Sequence, residues 1–197
     1  MTDFQKLEQL AEANGGVLQT TVVMSMGVSK TVLARYVFQN HYERVSRGVY
    51  LAPDAWRDDA YLLQLRCPQI VFSHDSALFY RNLTDREPLQ FTVTAKTGYN
   101  PAHLTSGSVK VFTIKKELYM VGISTAETSF GHQVNVYDME RTICDVLRSR
   151  NSMETQVFQD ALKMYAKRRD KNLHNLTDYA KLFRIDKLMH QYMGVLL

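Results

Sequence analysis

Residues Glu43 to Tyr50 read ERVSRGVY, and this stretch decides how the N-terminal part of the chain is read. Tyr42 to Val45 and Val49 to Leu51 have strand composition, and Ser46-Arg47-Gly48 between them predicts a short hairpin loop in which glycine supplies the backbone freedom. Upstream, Phe4, Leu7, Leu10 and Ala11 recur at helical spacing and stop at Asn14-Gly15-Gly16. Val17-Leu18 is an apolar stub, and Thr20 or Thr21 is the expected cap of a brief helix through Val22, Val23 and Met26. Gly27-Val28 breaks that pattern. Ser29 then caps a third helix whose apolar stripe is Val32, Leu33, Tyr36 and Val37. Helix, short helix, glycine turn, helix and hairpin together predict a winged helix-turn-helix over residues 1–56, closed by Pro53.

The functional reading follows from that geometry. A third helix placed in a major groove would present Lys30, Thr31 and Arg35 to bases and phosphates, with Ser29 at its N-terminus beside a phosphate oxygen. The hairpin would bring Arg47 at its tip, and Arg44 on its first strand, to the backbone or minor groove. Glu43 stands beside Arg44 and is expected to mute its charge. Between Lys30 and Arg47 there are four bases, and Glu43 is the one acid.

The chain has 197 residues, 45% of them hydrophobic, which is enough apolar material for a small domain followed by a larger one. Its formal charge of +4 permits an acidic partner such as nucleic acid. The excess of bases lies from Arg148 onward, where Lys163, Lys167, Arg168, Arg169, Lys171 and Lys181 alternate with Tyr165 and Tyr179. That tail reads equally as a flanking phosphate contact or as a solvated helix face. No apolar run approaches the roughly 20 residues that span a bilayer, and the acidic start MTDFQKLEQL is unlike a signal peptide, so a cytoplasmic protein without membrane contact is expected. Cys67 and Cys144 are far apart and have no neighbouring ligands, which predicts two buried thiols and no metal or other cofactor.

Residues 57–197 read as one mixed α/β domain with a small, mostly antiparallel sheet and C-terminal helices, making the whole chain α+β. A helix over Asp59 to Arg66 ends at Pro68, Ile70 to Phe72 is a strand, and Ser73 caps the next helix. LQFTVTA, VKVFTIK, YMVGIST and HQVNVY follow as strands, and helices resume at Asp138. Asp138, Glu140 and Asp145 are the densest acidic group, but Asp138 suits a helix cap and Arg141 with Asp145 an i, i+4 pair. His74-Asp75 reads as a helix-start pair. No nucleophile or phosphate-loop motif is present, so no catalytic residue is assigned.

Three segments in order, the hairpin ending in SRGVYLAP, then SHDSALFYRNLTD before LQFTV, then VYDMERTICDVLR, resemble the AbiEi antitoxins of abortive-infection loci. The resemblance covers nearly the whole chain, with one departure: Asn82-Leu83 stands where a Gly-Leu pair is common. It implies an N-terminal domain that binds inverted repeats in double-stranded promoter DNA and represses its own operon. It further implies a C-terminal antitoxin domain in a type IV phage-resistance system. The toxin would be a nucleotidyltransferase-like protein, opposed without a stable complex. Carried over by position, the DNA-contacting residues are Ser29, Lys30, Thr31, Arg35, Arg44, Ser46 and Arg47. Two other functions remain open from the residues alone. One is an enzyme using Asp138, Glu140 and His74 on a toxin target, and the other a one-component regulator that responds to a ligand.

Overall fold

The computed structural model of the chain describes residues 1–101, 104, 109–194 and 196. It is an α+β protein of two compact units, one formed by Met1–Pro68 with Thr128–His132 and the other by Gln69–Glu127 with Gln133–Leu197. Among the described residues there are ten α-helices, a three-stranded sheet and a five-stranded sheet.

In the first unit, α1 (Asp3–Ala13) starts from a capping box in which the Thr2 hydroxyl accepts from the Gln5 amide and the Gln5 side chain accepts from the Thr2 amide. Its C-cap Asn14 is followed by Gly15 and Gly16, whose φ angles are 57° and 84°. A Cβ on Gly16 would lie 2.5 Å from that of Ala55, so the close approach there requires glycine. β1 (Val17–Gln19), α2 (Thr20–Ser25), α3 (Lys30–Gln39), β2 (Glu43–Ser46), β3 (Val49–Leu51) and α4 (Asp59–Arg66) follow. The strands form an antiparallel sheet in the order β1-β3-β2. With α2 and α3 inserted between its first two strands, this is the winged helix-turn-helix arrangement. Leu7, Leu18, Val23, Val28, Leu33 and Tyr36 close its core beneath α3.

Three local details depart from expectation. Neither Thr20 nor Thr21 caps α2: the helix begins at Thr20 after Gln19, and the Thr20 amide is bound to the Gly48 carbonyl at 2.8 Å. The hairpin loop is shorter than Ser46-Arg47-Gly48, because Ser46 pairs with Val49 and leaves Arg47-Gly48 as the turn. Finally, the unit runs past residue 56 to Pro68, since Leu62 of α4 packs with Val17, Val49 and Leu51.

The second unit is built on β4 (Val71–Phe72), β5 (Phe91–Lys96), β6 (Val109–Ile114), β7 (Ile123–Glu127) and β8 (Gln133–Tyr137), in the order β6-β5-β4-β8-β7. This sheet is mixed, not mostly antiparallel. β5 with β6 and β4 with β8 run parallel, whereas β4 with β5 and β7 with β8 run antiparallel. YMVGIST is only partly strand: Tyr119 ends a short helix, α6 (Lys116–Tyr119), and Gly122 at φ 74° turns the chain before Ile123.

Around the sheet lie α5 (His74–Tyr80), α7 (Met139–Arg148), α8 (Thr155–Lys167), α9 (Leu173–Leu182) and α10 (Asp186–Met193). Leu78, Ile143, Leu147, Leu162, Tyr165 and Met193 belong to their shared core. Ser73 precedes α5 without capping it through its side chain, since its hydroxyl is hydrogen-bonded by Thr94 instead. Asn82 adopts φ 54°, a left-handed conformation that glycine would take at no steric cost and that asparagine tolerates. Among the described residues no helix is long and apolar enough to cross a membrane.

Candidate nucleic-acid interface

Helix α3 is oriented by its cap and its buried stripe. Ser29 Oγ accepts from the Val32 amide at 3.2 Å, and Leu33 and Tyr36 are buried. That leaves Lys30, Thr31, Ala34, Arg35 and Phe38 exposed along the opposite face. Thr31, Ala34, Arg35 and Phe38 lie at positions i, i+3, i+4 and i+7, a single outward stripe.

Arg35 is not wholly free, because its guanidinium lies 5.2 Å from the centre of the Phe4 ring on α1. A cation held over an aromatic face keeps its donors while giving up much of its rotational freedom. Phe38 is 82% exposed, and the reading of the sequence missed it. The signal was present, since Phe38 falls seven residues after Thr31 on the face that the Leu33–Tyr36 stripe leaves outward.

In the wing, Arg44 and Arg47 are exposed and Ser46 is half-buried. Gly48 supplies the positive φ of the turn, at 77°. The ladder shifts register between Arg44 and Ser46, a bulge that sharpens the local twist of β2. Among the described residues Glu43 forms no ion pair with Arg44. Its carboxylate faces Arg57, Nη1 to Oε1 being 3.4 Å. Among the described residues no ion pair is formed by Lys30, Arg44 or Arg47. Of the seven residues expected to meet DNA, six are exposed and the fold gathers them on two adjoining elements, α3 and the β2–β3 hairpin.

The acidic group of the second unit is occupied otherwise. Asp138 caps α7, its Oδ1 accepting from the Arg141 amide at 2.7 Å and its Oδ2 from the Tyr179 hydroxyl at 3.0 Å. Glu140 Oε1 accepts from the Tyr165 hydroxyl at 3.1 Å and from the Asn172 amide at 2.7 Å. Burial raises the pKa of Asp138 above the usual carboxylate range. Asp145 receives both Arg141 and Arg148, at 2.9 and 3.1 Å. Among the described residues no group of three or more His, Cys, Asp or Glu side chains is placed to hold a metal ion.

In the basic tail, Arg168 pairs with Asp170 at 2.7 Å, Lys181 with Asp178 at 3.7 Å, and Lys171 Nζ donates to the Ala166 and Arg168 carbonyls at 2.9 Å each. Half of that apparent basic run is therefore engaged by near neighbours in the same segment.

Fold and surface together define a winged-helix protein with a second, mixed α/β unit. Among solved structures, the RV2827C protein from Mycobacterium tuberculosis is similar, with a TM-score of 0.58 at 14% identity over 92% of this chain and 72% of that one. At that identity the likeness establishes the fold. No protein-family model matches the chain. No curated protein matches it either.

Proposed function

We propose that the first unit binds double-stranded DNA through α3 and the β2–β3 wing, and that the chain is a cytoplasmic, promoter-binding antitoxin of the AbiEi kind. The observation that carries the DNA reading is the set of three exposed cations, Lys30, Arg44 and Arg47, on a helix and hairpin that a winged-helix fold presents together. A cation already paired within the protein gains little from a phosphate; among the described residues these three have no ion-pair partner to leave. On α3, the outward Thr31, Ala34 and Phe38 offer methyl and ring surface suited to the C5-methyl groups of thymine, and Arg35 offers a guanidinium to guanine edges.

The antitoxin role rests on the resemblance of SRGVYLAP, SHDSALFYRNLTD and VYDMERTICDVLR to that family. In this reading the second unit opposes a nucleotidyltransferase-like toxin without a stable complex, and the first unit represses the operon at inverted repeats.

The test is a gel-shift titration of the full chain on the duplex upstream of its own gene, at several salt concentrations. Arg44→Ala with Arg47→Ala should weaken binding at every sequence and reduce the salt slope by about 0.9 for each phosphate that is no longer neutralised. Thr31→Ala or Arg35→Ala should instead change which sequences are preferred. Unaltered affinity in the double variant removes the wing from the interface. For the antitoxin role, growth is measured with the adjacent toxin gene induced, and failure of the full chain to restore it refutes that role.

A further inference from the structure

The second unit contains a polar cleft of about 160 Å³ that neither the apolar core nor the DNA reading uses. Its walls include His74 at the start of α5, Thr94 of β5, Thr113 of β6, and Asp145, Arg148 and Ser149 at the end of α7. The polar pairs nearby are mostly closed on themselves: Ser76 and Thr92 exchange two 2.8 Å bonds that tie α5 to β5. One line of hydrogen bonds runs on into the cleft.

That line begins at Thr94, whose hydroxyl donates to Ser73 Oγ at 2.8 Å. His74 Nδ1 is 3.0 Å from Ser73 Oγ, and its Nε2 is 3.0 Å from Ser149 Oγ. The imidazole is stacked on Phe112 at 3.5 Å, its backbone is held at φ 48°, and burial pulls its pKa down to about 4, so it is neutral near pH 7. A neutral imidazole has one donor and one acceptor nitrogen. In the tautomer that carries its proton on Nε2, Ser73, which accepts from Thr94, donates its own proton to Nδ1. Nε2 is then the donor, and Ser149 accepts from it. The Ser149 hydroxyl proton remains for a group inside the cleft.

Charge points to the same kind of group. Asp145 Oδ2 accepts from Arg141 Nε at 2.9 Å and Oδ1 from Arg148 Nη1 at 3.1 Å, so one carboxylate faces two guanidiniums and one positive charge is left over. At His74 the field of the Asp145 carboxylate is opposed by those of Arg148, Lys110 and Arg141. The cleft shares Thr113, Ile114 and Arg148 with a wider groove of about 490 Å³, along which Lys115 and Arg184 outnumber Glu117.

We infer that this cleft binds a phosphate group, with the Ser149 hydroxyl and the Arg148 guanidinium as donors and the groove beyond Arg148 receiving whatever the phosphate is attached to. A phosphate brings strong acceptor oxygens for the Ser149 hydroxyl and the Arg148 guanidinium, and guanidinium forks match its geometry. The source is either free phosphate or a small phosphate ester, and the groove beside Lys115 and Arg184 has room for an ester.

Calorimetric titration of the full chain with inorganic phosphate, AMP and adenosine tests this. Phosphate and AMP are expected to bind, with adenosine at least tenfold weaker than AMP. AMP tighter than phosphate identifies an ester site, and the reverse order a free-phosphate site. Ser149→Ala should weaken phosphate and AMP binding at least fivefold in a chain that still folds, with some loss of melting temperature because the buried His74 Nε2 loses its partner, and Arg148→Gln should weaken binding further. If Arg148→Gln melts early, Thr113→Val, at an exposed position, is the second variant, expected to weaken AMP two- to threefold. The inference is overturned by absence of binding of both phosphate and AMP at millimolar concentration, by adenosine binding as tightly as AMP, or by wild-type affinity in Ser149→Ala. Its outcome is independent of the gel-shift result, because no residue of the first unit is altered.

Discussion

Arg47 and Arg141 carry the same guanidinium, and the two units treat it in opposite ways. Arg47 stands exposed at a two-residue turn. Arg141 is fully buried between the rings of Tyr137 and Phe183, 4.0 and 4.4 Å from their centres. Its Nε reaches Asp145, and its Nη1 donates to the Leu118 and Val121 carbonyls at 2.8 and 2.7 Å. Arg81 is used in the same manner, holding the carbonyls of Tyr137, Val136 and Thr125 at 2.8, 3.1 and 3.2 Å. Inside the second unit a guanidinium is therefore a cross-link, valued for its directed donors. On the first unit it is a charge, valued for the phosphate it can meet.

Deleting the cross-link should have the largest effect. Arg141→Ala strands the carbonyls of Leu118 and Val121 and weakens the neutralisation of buried Asp145, so a loss of about 3–5 kcal/mol is expected in urea unfolding. A loss below about 1 kcal/mol would dissolve the contrast between the units.

The next effect is tied to pH. His74 is neutral in the fold, with a pKa lowered from 6.5 to about 4, while in the unfolded chain it takes up a proton near its ordinary value. The unfolded state thus binds more protons in that window, and stability falls as pH falls from about 6.5 towards 4. The contribution is about 3 kcal/mol. His74→Gln should flatten this part of the stability–pH curve relative to wild type, and parallel curves would show that the imidazole is not the group titrating.

The smallest effect on stability belongs to the wing. Arg44→Ala with Arg47→Ala should leave unfolding within about 0.5 kcal/mol of wild type. The same variant is the one expected to lose DNA affinity, and a large destabilisation would mean that these side chains hold the fold.

What was legible in the sequence follows from the range of the interactions involved. Ser29, Gly27, Gly48 and the stripe from Val32 to Tyr36 act within a few residues, so their spacing predicted the helix-turn-helix and the hairpin. The parallel pairing of β5 with β6 depends on a crossover, which strand composition does not encode. In α7 the spacing of Met139, Ile143, Val146 and Leu147 is that of one buried face, yet every residue from Glu140 to Leu147 is buried. Charged residues at helical spacing read as a solvated face unless their partners are known, and those of Glu140 lie on other elements. His74-Asp75 read as a helix-start pair for the same reason: the contact with Ser149 spans 75 residues.

The five residues Thr128–His132 belong to the first compact unit although the chain on either side of them belongs to the second. His132 Nδ1 lies 2.8 Å from Asp58 Oδ2, its ring is stacked 4.1 Å from that of Tyr61, and Thr128 shares the same carboxylate. No single cut can therefore divide this protein into its parts. Removing residues 1–56 would leave α4 without the sheet that covers Leu62 and would leave His132 beside Asp58 on an orphaned helix. An independent second unit would have to begin at Gln69 and carry a tight turn in place of Thr128–His132. For the same reason, exchanging the winged helix with that of another protein by recombination would require three crossovers in the gene, after Pro68, before Thr128 and after His132.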